Sequence, residues 1–528
     1  MDLRLQKVDE LFASYDKTTS PGCSLAIIQD GEILYTRGYG MANLEHSIPN
    51  QPWTRFYLAS MSKQFTAFCI ALLEEEGKLN LDDDIRKWLP EIPQYQTPIT
   101  VQHLVHHTSG LRDYLGLSFM AGHPMDDLIT EPETLELLSR QKELNFNPGD
   151  EYLYSNTGYI LMSMIVARAS GKSFRQYANE MIFQPLGMKH THVHDNHLEM
   201  VPQRATGYSP ARASYHLSVP NFDMVGDGGI YSCVLDLYKW DQNFYHNKLG
   251  KGRPELIERV LSTLKLNDGS DNHYAFGLMV EQYKGLLEVN HGGAYGGYRT
   301  EMIRFPEQHF SVIVLGNHAG FRSADMAHQV ADLFLAEHYQ AASPAVETQT
   351  TAAEQPAPDL QAFTGLFYCD NSGISLETTL QDGRLTAQVN QDFSAPLRST
   401  GPQSFETDGG PLPMQLIFDG DHLELVLGVG KPMNFKKLAV QPLNAAMLES
   451  LCGIFTSEEL DARCRIELKD GKLVYKIGSL TETLRPVNEG MFLLSSGALY
   501  TDGITTGPVT GFTLQAGRVR NIHFSRSI

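Results

Sequence analysis

Positive charge is what this sequence is short of. Against 62 Asp and Glu it sets 42 Lys and Arg, a formal net charge of −20. So acidic a chain repels phosphate backbones and anionic lipid, so neither nucleic acid nor a membrane is expected as its partner. No apolar run is long enough to span a bilayer. The N-terminus, Met1-Asp2-Leu3-Arg4-Leu5-Gln6-Lys7, lacks the basic and then apolar blocks of a signal peptide. A cytoplasmic location is expected, or a periplasmic one if the sequence is already processed. The cysteines, Cys23, Cys69, Cys233, Cys369, Cys452 and Cys464, form no CxxC pair and no dense framework, so reduced thiols are expected. Gly-x-Ser-x-Gly, His-Glu-x-x-His and Walker patterns are missing too, which leaves α/β-hydrolase, zinc-peptidase and P-loop chemistry without support.

What is present fills 528 residues, too many for one core. Hydrophobic residues make up 42% and charged residues 20%, an ordinary globular balance. Val8, Leu11, Phe12 and Tyr15 predict an opening amphipathic helix. Ser24 to Gln29 and Glu32 to Arg37 flank Asp30-Gly31, a hairpin signal. Thr100 to His107 predicts a short helix and Asn156 to Ala169 a long apolar one. Ala275 to Glu281, Leu286 to Val289, Thr300 to Phe305 and Phe310 to Asn317 read as strands of an antiparallel sheet, and Ala324 to Tyr339 as a closing helix. An early hairpin, central helices and a late meander imply an α+β domain rather than a βαβ repeat.

Ala341 to Pro358 is rich in Ala, Pro, Thr, Gln and Ser and reads as a linker. Short alternating strands follow, and they repeat. Gly365-Leu366-Phe367 and Asp382-Gly383-Arg384-Leu385 return as Gly453-Ile454-Phe455 and Asp470-Gly471-Lys472-Leu473, each 88 residues on. Leu397 and Phe405 are followed in the same way by Leu484 and Phe492. The expected organisation is a domain over 1–340, a linker over 341–358, and two small antiparallel β-barrels over 359–443 and 444–528. Bulk, a homodimer contact or shading of an active site would be ordinary uses for such a pair.

Three motifs carry chemistry. Ser60 and Lys63 stand one turn apart at the start of a helix whose Phe65, Phe68, Cys69, Leu72 and Leu73 form a buried face and which Gly77 ends. A lysine amine can take the proton of a serine hydroxyl, and Ser60 N–H lies where a helix dipole would favour an oxyanion. Ser is also a favoured capping residue at such a position. Ser14/Lys17, Ser139/Lys142 and Ser262/Lys265 share the spacing but not the context, and surface positions are expected there. The second motif is Tyr154-Ser155-Asn156, entering the long apolar helix. A tyrosine beside a lysine can shuttle a proton, and an asparagine amide can hold a substrate carbonyl. The third is His291-Gly292-Gly293-Ala294-Tyr295-Gly296-Gly297, where glycines let a strand approach a ligand closely and His291 would be a side-chain donor.

In this order the motifs resemble those of penicillin-binding and class C β-lactamase-like serine hydrolases, whose pattern is Ser-x-x-Lys, Tyr-x-Asn, then Lys/His-Thr/Ser/Gly-Gly. The resemblance includes His107-Thr108-Ser109-Gly110-Leu111, Pro185-Leu186-Gly187-Met188 and Gly226-Asp227-Gly228-Gly229, and covers roughly Met1 to Tyr339. Within the family the likeness is closest to D-stereospecific aminopeptidases, which also carry two β-barrel domains. The resemblance implies an acyl-enzyme on Ser60, with Lys63 and Tyr154 managing protons. Asn156, His291, Gly292 and Gly293 would hold substrate, and the N–H groups of Ser60 and Ala294 would form the oxyanion hole. No metal or organic cofactor is implied. The expected substrate is a small peptide, amide or ester. A broad esterase, a D-Ala-D-Ala carboxypeptidase or a β-lactamase-type hydrolase is the alternative, and a catalytically silent receptor a second one. His291 stands where β-lactamases of this type carry lysine, and a neutral imidazole holds an anion less well.

His190-x-His192-x-His194 has the alternation of a metal-binding strand. It follows a segment that is metal-free in the resembled family, so a structural or surface role is expected. His103, His106 and His107 are expected to pack or cap. An aminopeptidase also needs an anion for the substrate ammonium. The last barrel offers Glu482, Glu489 and Asp502, at least one of which is expected to reach the active site.

Overall fold

The computed structural model describes residues 2–527 apart from 125–126, 213, 340–358, 391–392, 409–413, 428–431, 496 and 502–506. The expected linker and Asp502 therefore lie outside the described residues.

The N-terminal half is built on a six-stranded antiparallel sheet in the order Met279–Tyr283, Leu286–Tyr295, Tyr298–Phe305, Phe310–Gly316, Cys23–Gln29, Glu32–Tyr39. The first and last parts of the sequence meet in its middle, where Cys23 pairs with Gly316 and Gln29 with Phe310. Asp30 and Gly31, both at positive φ (51° and 84°), make the hairpin turn that their sequence signals. Val8 and Phe12 of the opening helix (Leu3–Phe12) and Ala327, Val330 and Ala331 of the closing one (Ser323–Leu335) pack with Ile27, Ile303, Val312 and Val314 in one apolar cluster. The strand expected from Ala275 begins later, at Met279. Pairing between Met279–Tyr283 and its neighbour ends at Asn290, so the glycine-bearing stretch from His291 to Tyr295 is laddered only to Tyr298–Phe305.

A small three-stranded sheet sits beside this framework. Phe56–Tyr57 pairs with Ile230–Ser232, which pairs with His192–Val193. Its first strand leads into the helix Lys63–Glu75, and Gly77, at φ 71°, ends that helix as the sequence requires.

Two barrels of eight antiparallel strands close over Gly365–Lys437 and Gly453–Arg526, strand for strand in the same order. Alternation fills them: Met414–Asp419 is buried at every second residue. Leu397, Phe405, Leu484 and Phe492 are all buried.

The packing adds two short stretches of the expected 1–340 domain to the barrels. One compact unit comprises Met1–Leu111, Asp126–Ser139 and Phe146–Ala345; the other comprises Arg112–Met125, Arg140–Asn145 and Val346–Ile528. Two pieces of the N-terminal sequence thus belong with the barrels. Within that second unit Arg112 is buried: its Nη1 donates to Glu459 Oε1 at 2.5 Å and to Gln141 Oε1 at 3.0 Å. Its Nε and Nη2 donate to the carbonyls of Arg520 and Asn521 at 2.9 and 2.7 Å. Asn145 is held the same way, giving to Arg518 O and accepting from Arg520 N. The barrel residues involved, Glu459, Arg518, Arg520 and Asn521, are all in the second repeat. Asn371, the counterpart of Glu459 in the first repeat, is exposed.

Candidate active site

Ser60 lies in a 3₁₀ turn, Ala59–Ser62, that feeds the helix beginning at Lys63. Ala59 holds a positive φ of 50°, uncommon for a residue with a Cβ, so the turn presenting Ser60 is locally strained. The expected capping role of Ser60 is not seen; Leu58 occupies the cap position and makes no side-chain hydrogen bond. The Ser60 hydroxyl instead accepts from Lys63 Nζ at 3.2 Å. Nζ also donates to Asn156 Oδ1 and to the Asp227 carbonyl, each at 2.8 Å. The ring faces of Tyr154 and Tyr159 lie 4.8 and 5.6 Å from it. Lys63 is completely buried.

Each partner is fastened from behind. The Asp227 segment is pinned by Thr66 Oγ1 to Gly226 O at 2.7 Å, Ser163 Oγ to Val225 O at 2.9 Å, and Gly229 N to Tyr57 OH at 3.0 Å. A Cβ at Gly226 would strike the Tyr159 carbonyl, so the glycine is needed for that approach. The second motif is tied down through its middle residue: Ser155 N donates to His107 Nδ1 at 3.1 Å, and Ser155 Oγ to Leu111 O at 3.3 Å. The His107 ring packs 4.3 Å from that of Tyr154. His107 is thus more than packing, whereas His103 caps as expected, accepting from Thr100 N.

The third motif meets the first through backbone. A Cβ at Gly293 would strike the Leu58 carbonyl, to which Thr300 Oγ1 already donates at 2.9 Å. A Cβ at Gly292 would run into the carboxylate of Glu301, its cross-strand partner on the same face of the sheet. The two glycines therefore have reasons within the protein, beside the ligand approach expected of them. Ala294 is exposed, one residue further along the half of the strand that has one edge outside the ladder.

His291 corrects the expectation most clearly. Its Nδ1 lies 2.6 Å from Gly292 O and its Nε2 3.0 Å from Tyr274 OH. A carbonyl can only accept, so Nδ1 carries the proton and Nε2 takes the tyrosine's. Burial first, then the Lys63 charge, push its pKa down to about 4, leaving it neutral at pH 7. It is a buried, doubly engaged ring and not an open donor.

Sequence reasoning missed Tyr274, Tyr159 and the Asp227 carbonyl. Tyr274 and Tyr159 are fully buried and belong to no motif. The available signal was glycine placement: Gly277, at φ 73°, lies against the backbone of Lys63 and Gln64, and the Gly226-Asp227-Gly228-Gly229 run frames the carbonyl. The other Ser-x-x-Lys lysines, Lys17, Lys142 and Lys265, are all exposed.

An antiparallel sheet with helices, carrying a serine against a buried lysine at a helix start, defines a serine hydrolase of the penicillin-binding-protein-like class. The Beta-lactamase family description matches residues 8–335, and the chain belongs to that family. It is 31% identical over 380 residues to penicillin-binding protein 4* of Bacillus subtilis, covering 68% of this chain and 82% of that one. With a D-aminopeptidase of Brucella anthropi it shares 26% identity over 537 residues, 96% of this chain and 95% of the relative. Among solved structures, the octameric penicillin-binding protein homologue from Pyrococcus abyssi superposes with a TM-score of 0.58 at 24% identity, over 83% of this chain and all of that one. That last likeness is one of fold.

Proposed function

We propose that this serine hydrolase forms an acyl-enzyme on Ser60 and acts as a D-aminopeptidase-like amidase on short substrates with a free N-terminal amine. Lys63 is the base. Asn156 Oδ1 and the Asp227 carbonyl can each fix one hydrogen of a neutral amine, which leaves its lone pair aimed at Ser60 Oγ. Ser60 Oγ then attacks the substrate carbonyl carbon while its proton passes to Lys63. The N–H groups of Ser60 and Ala294 receive the oxyanion. Collapse expels the amine, protonated from Lys63 by way of Tyr154, whose ring lies over that ammonium. Water repeats the sequence to release the acid.

The observation carrying the finer reading is His291. A neutral ring with both nitrogens engaged offers no charge to a substrate carboxylate, which weakens the β-lactamase and carboxypeptidase alternatives. Likeness to a D-aminopeptidase over both barrels supports the same choice. Of the carboxylates expected to meet the substrate ammonium, Glu482 already accepts from Ser495 N and Oγ at 2.8 and 2.6 Å, and Glu489 is exposed. The test is a hydrolysis panel of D- and L-aminoacyl amides, simple esters and a chromogenic β-lactam. Highest kcat/KM on a D-aminoacyl amide with a free amine is expected; faster turnover of the β-lactam or of N-blocked esters would displace this reading.

A further inference from the structure

The His190-x-His192-x-His194 stretch does something that the three motifs do not require. His190 turns to Arg55, whose Nη2 lies 3.3 Å from its Nδ1. His192 and His194 stay together, flanking the Tyr231 ring at centroid distances of 6.2 and 5.2 Å. The chain then bends back, and Glu199 joins them. One ligating atom from each of His192, His194 and Glu199 lies within 4.8 Å of the others.

The histidines are not satisfied where they are. His194 is only 6% exposed, and its Nδ1 is buried without a hydrogen-bond partner. His192 Nε2 is buried without one too. Leaving such groups unmade is costly, and native proteins seldom do it without a reason. Each ring therefore keeps a buried nitrogen that no protein group satisfies, beside the other and beside the Glu199 carboxylate.

The third ligand is held in place. Arg175 grips the Glu199 carboxylate with Nη1 and Nη2 at 2.6 and 2.8 Å and reaches Asp195 at 2.9 Å. Carboxylate oxygens have lone pairs to spare beyond those the guanidinium takes.

We propose that His192, His194 and Glu199 form a binding site for one divalent transition-metal ion of the zinc class. Two nitrogens and one oxygen suit zinc and not the oxygen-seeking Mg²⁺ or Ca²⁺. Zinc–ligand bonds are about 2.0–2.2 Å, so a spread of up to 4.8 Å closes with small side-chain movements. A water would complete the tetrahedron. His192 is paired with Tyr231 on the strand that also pairs with Phe56–Tyr57, and His194 N donates to Gly229 O at 2.6 Å. The ion would fasten the 192–199 loop to the small sheet that leads into Ser60. It takes no part in acyl transfer.

The test uses the tag-free full-length protein, stripped with EDTA and exchanged into a non-chelating buffer. Calorimetric titration with ZnCl₂, and zinc content after gel filtration, should give one equivalent per chain, with a higher Tm on loading; MgCl₂ and CaCl₂ should give neither. Glu199→Gln, which keeps shape and can still meet Arg175, should weaken zinc binding at least tenfold and remove the Tm rise. His194→Ala should abolish binding, while the exposed His46→Ala leaves it unchanged. No stoichiometric uptake by the wild type, or unchanged affinity in Glu199→Gln, overturns the proposal. Should His194→Ala fail to fold, Glu199→Gln alone decides.

Discussion

Lys63 in the first unit and Arg112 in the second are buried alike, at 0% and 1% exposure, yet they are used differently. Lys63 donates to a hydroxyl, an amide oxygen and a carbonyl, and an amine can give up a proton. Arg112 donates to a carboxylate, an amide oxygen and two carbonyls, and a guanidinium stays charged in proteins. One cation can move a proton onto and off a neighbour. The other can only be an anchor. Burial alone therefore does not mark a catalytic cation; what it touches, and whether it can change charge, does.

The sharpest way to break this comparison is at the serine. Ser60→Ala or Lys63→Met should cut turnover by about 10⁴–10⁶-fold, since only binding and the oxyanion site would remain. Near-UV circular dichroism should stay native, and an acylating probe should no longer add mass. Near-normal turnover in either folded variant would remove Lys63 from the chemistry.

Arg112 should fail in stability instead. Glu459→Ala strands a buried charge and should cost about 3–5 kcal/mol. Arg112→Met with Glu459→Leu should recover most of that, since apolar replacement of a buried pair is often neutral. Probe labelling of Ser60 below the unfolding temperature should persist in the double variant. Loss of labelling there would make Arg112 more than an anchor. Truncation near Pro358, which the sequence invites as a clean cut, should yield an unstable product, because it strips Arg112 and Asn145 of their barrel partners.

Tyr154→Phe tests the proton path between these extremes. It keeps the ring over Lys63 Nζ and removes the phenol, so kcat should fall about 10²–10⁴-fold with a smaller change in KM. A raised KM at constant kcat would make Tyr154 a wall of the pocket.

Much of this was legible because it is periodic or local. The repeat spacing of 88, the Asp30-Gly31 turn and the alternation in the barrels are all short-range signals, and the strands formed close to them. The three motif heads stood out by their local context and their order along the chain. What was hidden depends on distant packing. Asn371 and Glu459 occupy equivalent repeat positions, and no local pattern says that Glu459 alone receives an arginine from residue 112. Glu199 likewise follows the histidine run only as one more acidic residue; a chain reversal brings it to them. Tyr274 is invisible because an isolated buried tyrosine has no signature, though its hydroxyl engages His291 Nε2.

His291→Lys sharpens the comparison by adding a cation to the first unit. The lysine would bring a charge that the neutral ring lacks, so the rate ratio of a chromogenic β-lactam to an aminoacyl amide should rise about tenfold, the size of a ~1.4 kcal/mol contact. An unchanged ratio would show that position 291 does not select substrate charge.

The smallest effect is expected behind the third motif, where an acid rather than a cation is buried. Glu301 is 7% exposed, shares a strand face with Gly292, and stands near Glu288 and His328. Burial is the main cause of a pKa raised to about 8; the Glu288 charge adds to it and His328 opposes it. His328 Nε2 faces Glu288 Oε2 at 3.0 Å, and that bond and charge raise its own pKa against the opposing effect of burial. A carboxyl whose folded pKa exceeds its unfolded value stabilises fully below the unfolded value, near 4.5, and loses that contribution as pH rises through about 8. The wild type should therefore lose stability from about pH 4.5 to about pH 8, apart from any acid-side loss as His291 and His106, both near 4, become protonated. Glu301→Gln cannot ionise and keeps the shape, so its Tm should already exceed that of the wild type at pH 6, and the gap should grow until about pH 8 and then level off. The gap should widen by about 2–4 °C for each kcal/mol that the carboxylate costs. Thermal unfolding of the two proteins at pH 6, 7, 8 and 9 measures it, and parallel curves would mean that Glu301 is already ionised at neutral pH, balanced by a protonated His328.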